Sequence, residues 1–207
     1  TSNVDMKTGA PAFGTPEYMR ATQMTGQLCR YYGLPMRSSG VCAANVPDGQ
    51  AMWETSNSLW AAVQSGTNMV YHAAGWLEGG LVTSFEKTMI DADLCGKMAR
   101  FFDGIDLSEN AQAMSAIATT GPGAHFLGSE HTQTNFLSAL FRPETPDNNA
   151  YEHWEAAGSL DTAQRANALW KSHLEAYEDP GLDPSIDEEL QAYIAMRKAE
   201  TPDMEYF

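Results

Sequence analysis

Along the chain, long stretches with helical apolar spacing alternate with very short apolar runs, separated at regular intervals by glycine, proline and capping residues. Thr15-Pro16-Glu17 supplies a cap, a proline at the first helical position and an acid in the first turn, which predicts a helix over residues 16–32 ending at Gly33. The short run "LPMRSSG" follows, in which Pro35 suits the start of a strand rather than its middle. Asp48 caps a second helix to about Val63, closed by Gly66, and "TNMVYHA" reads as a buried strand. Thr83 and Glu86 make a T-x-x-E capping box for a helix to about Phe102.

Helices separated by short strands predict an α/β protein built of βα units on a parallel sheet, with sites in the loops that leave the strand ends. "SSGVCAANVPD" and "HAAGWLEGGL" occupy that position. A closed eightfold barrel needs about 250 residues, more than the 207 here, and only two or three units are readable. Past Gly104 the pattern predicts a helix from Ser108 to about Thr120, another from Glu130 to Leu140, and a strand at Leu140 to Arg142. "FRPETPDNNA" reads as a linker or exposed loop. Asp161 with Gln164 caps a helix to about Tyr177, and Asp183-Pro184 opens a last one ending near Lys198. The expected organisation is therefore a loop or linker over 1–15, βα units over 16–142 and a helical extension over 143–207, with a loosely held tail from Thr201. A first residue that is Thr suggests processing or truncation upstream.

Charge narrows the partners. The formal net charge is −15, from 27 acidic against 12 basic residues, which argues against nucleic acid and anionic membrane surfaces. No apolar run approaches the roughly 18 residues of a membrane span. Cys29, Cys42 and Cys95 are odd in number and lack metal-ligand spacing, so a reducing cytoplasm is expected and a cysteine zinc site is not.

The candidate chemistry sits in the two glycine-rich loops. In "YHAAGWLEGGL", Tyr71, His72, Trp76 and Glu78 gather aromatic, imidazole and carboxylate groups; "GPGAHFLGSEHT" brings His125, Phe126 and His131. Each has a structural rival. Trp53 and Trp60, seven apart on one helix, read as core packing. Trp76 reads either as a loop plug or as a ligand contact, Glu78 either as a bond to its own glycine turn or as a site acid, and His72 either as a satisfied buried histidine or as a ligand group. His125 and His131 have no third ligand at metal spacing. The glycines of "GPGAHFLG" come without the lysine or pattern of a phosphate cradle. Nothing basic flanks Cys42 to make it a nucleophile.

"YYGLPMRSSG", "VPDGQAMWE", "HAAGWLEGGL", "SFEKTMIDAD", "GPGAHFLGSEHT" and "WEAAGSLDTAQRAN", in this order between about Gly14 and Lys198, resemble the C-terminal part of the trimethylamine methyltransferase family. That resemblance implies the C-terminal half of a (β/α)8 barrel with extra C-terminal helices. It also implies a methylated amine as substrate, and a cob(I)alamin-type corrinoid on a small partner protein as methyl acceptor. Members acting on trimethylamine carry pyrrolysine in the loop matching Ser39 to Cys42; ordinary residues stand there, which points to a quaternary, betaine-like amine. Such a displacement needs positioning rather than a general acid, because the amine leaves neutral. A cation without N–H groups is held by aromatic faces and a carboxylate. The expected site is thus Glu78 and His72 as catalytic groups, with Tyr71, Trp76, Phe126 and His125 binding substrate, His72 and then His125 being the choices for a betaine carboxylate. The competing class is a non-catalytic amine-binding or structural half barrel that pairs with itself. A different barrel lyase or hydrolase would need a base or metal cluster that the sequence does not offer. Association with an N-terminal barrel half or a homo-oligomer is expected, since open strand edges need covering.

Overall fold

The computed structural model describes residues 3–201, and the chain divides into two compact units, Thr1–Ser172 and His173–Phe207. In the first unit the opening segment is not all loop: β1 (Asn3–Val4) and β2 (Pro11–Ala12) form a small antiparallel hairpin. The Asp5 carboxylate holds its turn by accepting from the Lys7 amide and the Thr8 hydroxyl.

Helix α1 (Pro16–Tyr32) starts and stops where the sequence predicts. The Thr15 hydroxyl accepts from the Tyr18 amide, and Gly33 takes the left-handed conformation at φ 66°. Its buried residues, Tyr18, Thr22 and Gly26, lie four apart and face α2 (Gly49–Gln64). A Cβ on Gly26 would stand 2.3 Å from the Ser65 carbonyl oxygen, so this contact admits glycine alone. The other side of α2 turns inward: Ala51 packs with Cys42, Ala44 and Leu77, and Ser58 bonds the Val41 carbonyl.

Around α2 lies one βαβ unit. Strand β3 (Arg37–Ser39) runs parallel to β4 (Met69–Tyr71), pairing Arg37 with Met69 and Ser39 with Tyr71. The fold is thus mixed α/β, with its parallel pair where the sequence expects strands, but β4 is not the buried strand expected, since Met69 and Tyr71 are both exposed. After β4 the chain forms a second hairpin, β5 (Trp76–Leu77) and β6 (Val82–Thr83), joined through one 3-10 turn, Glu78–Gly80, and then α3 (Phe85–Phe102). This hairpin corrects the expected Thr83–Glu86 capping box. Thr83 is drawn into β6 opposite Trp76, and the cap moves to Ser84, whose hydroxyl accepts from the Lys87 amide.

Beyond α3 the elements shorten. The helix expected from Ser108 to Thr120 breaks into α4 (Glu109–Gln112) and α5 (Met114–Thr120) at Ala113, which sits at φ 51° where a side chain is costly. Helix α6 (Glu130–Asn135) stops short of Leu140 and runs into a turn in which the Ser138 and Ala139 amides share the Asn135 carbonyl. Leu140 to Arg142 is not a strand; the Phe141 ring lies against Gly96 of α3 instead of entering a sheet. Helix α7 (Tyr151–Ala156) was not legible as a helix, and α8 (Thr162–Glu175) opens with the expected box, Asp161 and Gln164 each accepting from the other's amide. The core-packing expectation for Trp53 and Trp60 holds only in part. Trp60 packs on Phe101 and Phe102, but Trp53, two positions off the buried stripe of α2, is 63% exposed.

In the second unit the main element is α9 (Pro184–Glu200), capped by the Asp183 carboxylate. Positions 202–207 of the expected tail lie outside the described residues.

Candidate functional site

At the β3 and β4 ends a cavity of about 290 Å³ opens between α1, β3 and the segment after β4. Its wall is aromatic: Phe13 stands edge-on to both Tyr18 and Trp76, at 5.8 and 6.4 Å between ring centres, and the His72 ring lies 4.4 Å from Trp76. Its polar lining includes Thr22, Thr25, Arg37, Ser38 and Ser39, with the His72 Nδ1 at 3.2 Å from the Ser39 hydroxyl. No carboxylate among the described residues lines it.

Arg37 makes no ion pair among the described residues; its guanidinium lies 4.8 Å over the Tyr71 ring. Tyr71 therefore serves as a platform for the charge rather than as part of the wall. Burial pushes the Tyr18 phenol up, so it stays a neutral hydroxyl beside the Ser39 carbonyl. Trp76 Nε1 is buried without a hydrogen-bond partner among the described residues, a defect that costs about 1–3 kcal/mol and that functional sites tolerate.

The loops bounding the cavity are tied down by groups that sequence reasoning missed. Glu54 of α2 accepts from the Ala43 and Ala44 amides at 2.7 and 3.1 Å, and the Ser58 hydroxyl donates to the Val41 carbonyl. The Gly40 amide donates to the Tyr71 carbonyl, carrying the register of β3 and β4 one step into the loop. On the other side, the fully buried Lys87 and Asp91 of α3 pair at 2.5 Å, and Asp91 accepts from the Gly75 amide. Burial pushes the Asp91 carboxyl up, opposed by the Lys87 charge. The i, i+4 spacing of this pair on an otherwise apolar helix face was the available signal. Phe13 and Arg37 were also missed, since neither belongs to a glycine-rich loop.

Of the sequence candidates, His72 and Trp76 line the cavity and Tyr71 supports it from outside. Glu78 does not line it: its residue sits exposed at φ 53°, its amide bound to the Ala44 carbonyl. His125 and Phe126 are exposed and also lie outside it. His131 bonds the Asn110 carbonyl at 2.7 Å. Burial raises the Cys42 and Cys95 thiols, so both remain protonated at neutral pH and neither offers a thiolate. Among the described residues no group of three His, Cys, Asp or Glu side chains is placed to hold a metal ion, and no helix is long and apolar enough to cross a membrane.

Fold and cavity together define a mixed α/β protein with an aromatic-walled recess lined in part by Arg37, which has no ion pair among the described residues. Comparison with known proteins places it further: a match to the trimethylamine methyltransferase (MTTB) family covers residues 1–202, and the chain belongs to that family. It is 38% identical over 197 residues to a glycine betaine methyltransferase of Desulfitobacterium hafniense strain Y51, covering 95% of this chain and 41% of that protein. It is 31% identical over 195 residues to the trimethylamine methyltransferase MttB of Methanosarcina barkeri strain Fusaro, covering 94% of this chain and 39% of that protein. The chain thus spans about 40% of the length of these relatives.

Proposed function

We propose that this chain holds the methyl donor in a corrinoid-dependent methyltransferase, and that the donor is a quaternary amine bearing a carboxylate, such as a betaine. The observation that carries this reading is the cavity's composition among the described residues: aromatic faces, Arg37 without a carboxylate partner, and no acid in the lining. Aromatic faces attract an ammonium that has no N–H to donate. A simple cation such as a methylammonium would gain nothing from Arg37 and would be repelled by it, whereas the carboxylate of a betaine matches the planar donor fork. The match with a relative named glycine betaine methyltransferase supports the same choice.

In this reading Trp76, Phe13 and Tyr18 surround the ammonium, Arg37 takes the carboxylate, and His72, steadied by the Ser39 hydroxyl, donates a second hydrogen bond to it. Glu78, His125 and Phe126 carry no part of the proposal, because they do not line the cavity. The reaction is an in-line displacement in which the dimethylated amine leaves neutral, so the residues orient a methyl group and exclude water rather than move a proton. The acceptor in this reading is a cob(I)alamin-type corrinoid on a partner protein. The corrinoid supplies a cobalt nucleophile when that partner docks.

We further propose that the chain is the C-terminal part of a barrel completed by the rest of the protein, in a cytoplasmic setting that suits three free cysteines. Apolar side chains left uncovered support this: Met24 and Leu28 on α1, Phe101 and Phe102 at the end of α3, and an apolar recess of about 330 Å³ beside Val70 of β4. The test is methyl transfer from glycine betaine to cob(I)alamin by the whole protein, followed by cobalamin absorbance. Transfer at subsaturating betaine that falls about tenfold in Trp76→Leu and at least as far in Arg37→Leu supports the reading; transfer from trimethylamine but not from betaine overturns the choice of substrate.

A further inference from the structure

The Lys87–Asp91 pair is not part of the cavity wall, yet it is the most deeply buried charged group in the protein among the described residues, at 0% and 1% side-chain exposure. Its contacts are complete on one side: Lys87 Nζ lies 2.5 and 2.6 Å from the two Asp91 oxygens and donates to the Thr55 hydroxyl of α2 at 2.8 Å. A buried pair of this kind is often no more stable than apolar residues packed in its place, so stability alone does not account for it.

What distinguishes it is the second bond made by Asp91 Oδ2, which accepts from the Gly75 amide at 2.9 Å. The carbonyl of the same glycine accepts from the Thr83 hydroxyl and the Ser84 amide, at 2.9 and 3.2 Å. Gly75 sits at φ 84°, and a Cβ there would come within 2.5 Å of the Thr88 hydroxyl, so the backbone lies directly on the first turn of α3. Its neighbour is Trp76, whose carbonyl is held by the Cys42 thiol at 2.9 Å and whose ring lies 4.4 Å from the His72 ring, tilted by 53°.

We infer that Lys87 and Asp91 are positioning residues: the buried pair presents a fixed carboxylate to the Gly75 amide and so sets the Trp76 and His72 rings at the cavity wall. Lys87 fixes the rotamer of Asp91 and, through Thr55, ties it to the helix that also carries Glu54 and Ser58. The two loops of the cavity are thereby referred to one helix. The functional consequence rests on the amine-binding reading above; the structural one does not.

The experiment compares two double variants of the whole protein. Lys87→Met/Asp91→Leu removes the charges and the acceptor for Gly75, whereas Lys87→Met/Asp91→Asn removes the charges but leaves an amide oxygen in its place. Hydrogen exchange of the peptide spanning residues 72–78 and titration with glycine betaine are the readouts, with Tm as the control for folding. The Leu variant should keep its Tm, exchange about tenfold faster in that peptide and bind betaine about tenfold more weakly, the loss of roughly one hydrogen bond. The Asn variant should recover both. Equal behaviour of the two variants, or unchanged exchange and affinity in the Leu variant, overturns the proposal. Should neither variant fold, the unmodified protein decides: exchange at 72–78 slower than at 121–128 supports the inference, and equal exchange overturns it. Should the unmodified protein fail to bind betaine, the amine reading fails while the exchange contrast still decides this one.

Discussion

Two glycine-rich loops, residues 72–83 and 121–132, look alike in composition, each carrying histidine, an aromatic residue and an acid. In the structure they differ completely. The first is fixed from below by Asp91, from the side by Cys42 and Ala44, and at its end by Thr83 and Ser84. The second is largely exposed, its histidine and phenylalanine outside any shared cavity with His72. Site character here comes from whether each backbone polar group is tied to a buried partner, and composition does not report that.

Breaking the tether should give the largest effect. Asp91→Leu alone strands the Lys87 charge in the interior and should cost about 3–5 kcal/mol in urea unfolding. A smaller effect belongs to the wall: Trp76→Leu should weaken betaine binding by about 1–2 kcal/mol in calorimetric titration, with little loss of stability, since it also removes the orphaned indole N–H.

Glu86 offers a pH handle on the same helix. Hydrogen bonds from Asn167, Trp170 and Ser84 hold its carboxyl down from 4.5 to about 2. The folded value lies below the unfolded one, so this contribution to stability is full above pH 4.5 and is lost as the pH falls from 4.5 to about 2. Urea midpoints across that window should fall less steeply in Glu86→Gln than in the unmodified protein. The smallest expected change is in the exposed loop, where His125→Ala should shift neither Tm nor betaine affinity beyond about 0.5 kcal/mol.

Much of the fold was legible because local signals and tertiary structure agree. Thr15, Asp48 and Asp183 cap the helices the sequence predicts, and β3 and β4 fall within "LPMRSSG" and "TNMVYHA", the runs read as strands. The local rules failed where a long-range contact took over. Pairing of Thr83 with Trp76 shifted the α3 cap to Ser84, and the contact of Phe141 with Gly96 replaced the expected strand. The cavity was half legible: His72 and Trp76 sit within one short loop, whereas Phe13, Tyr18 and Arg37 reach it from elements that only folding brings near. The Lys87–Asp91 pair was visible only as a spacing on a helix, and its partner Gly75 lies 16 residues away.

The most direct test is calorimetric titration of glycine betaine into the whole protein, with Trp76→Leu and Phe126→Leu beside it. The account predicts saturable binding that weakens about tenfold in Trp76→Leu and is unchanged in Phe126→Leu. Binding that depends on Phe126 and not on Trp76, or no binding at all, would contradict it.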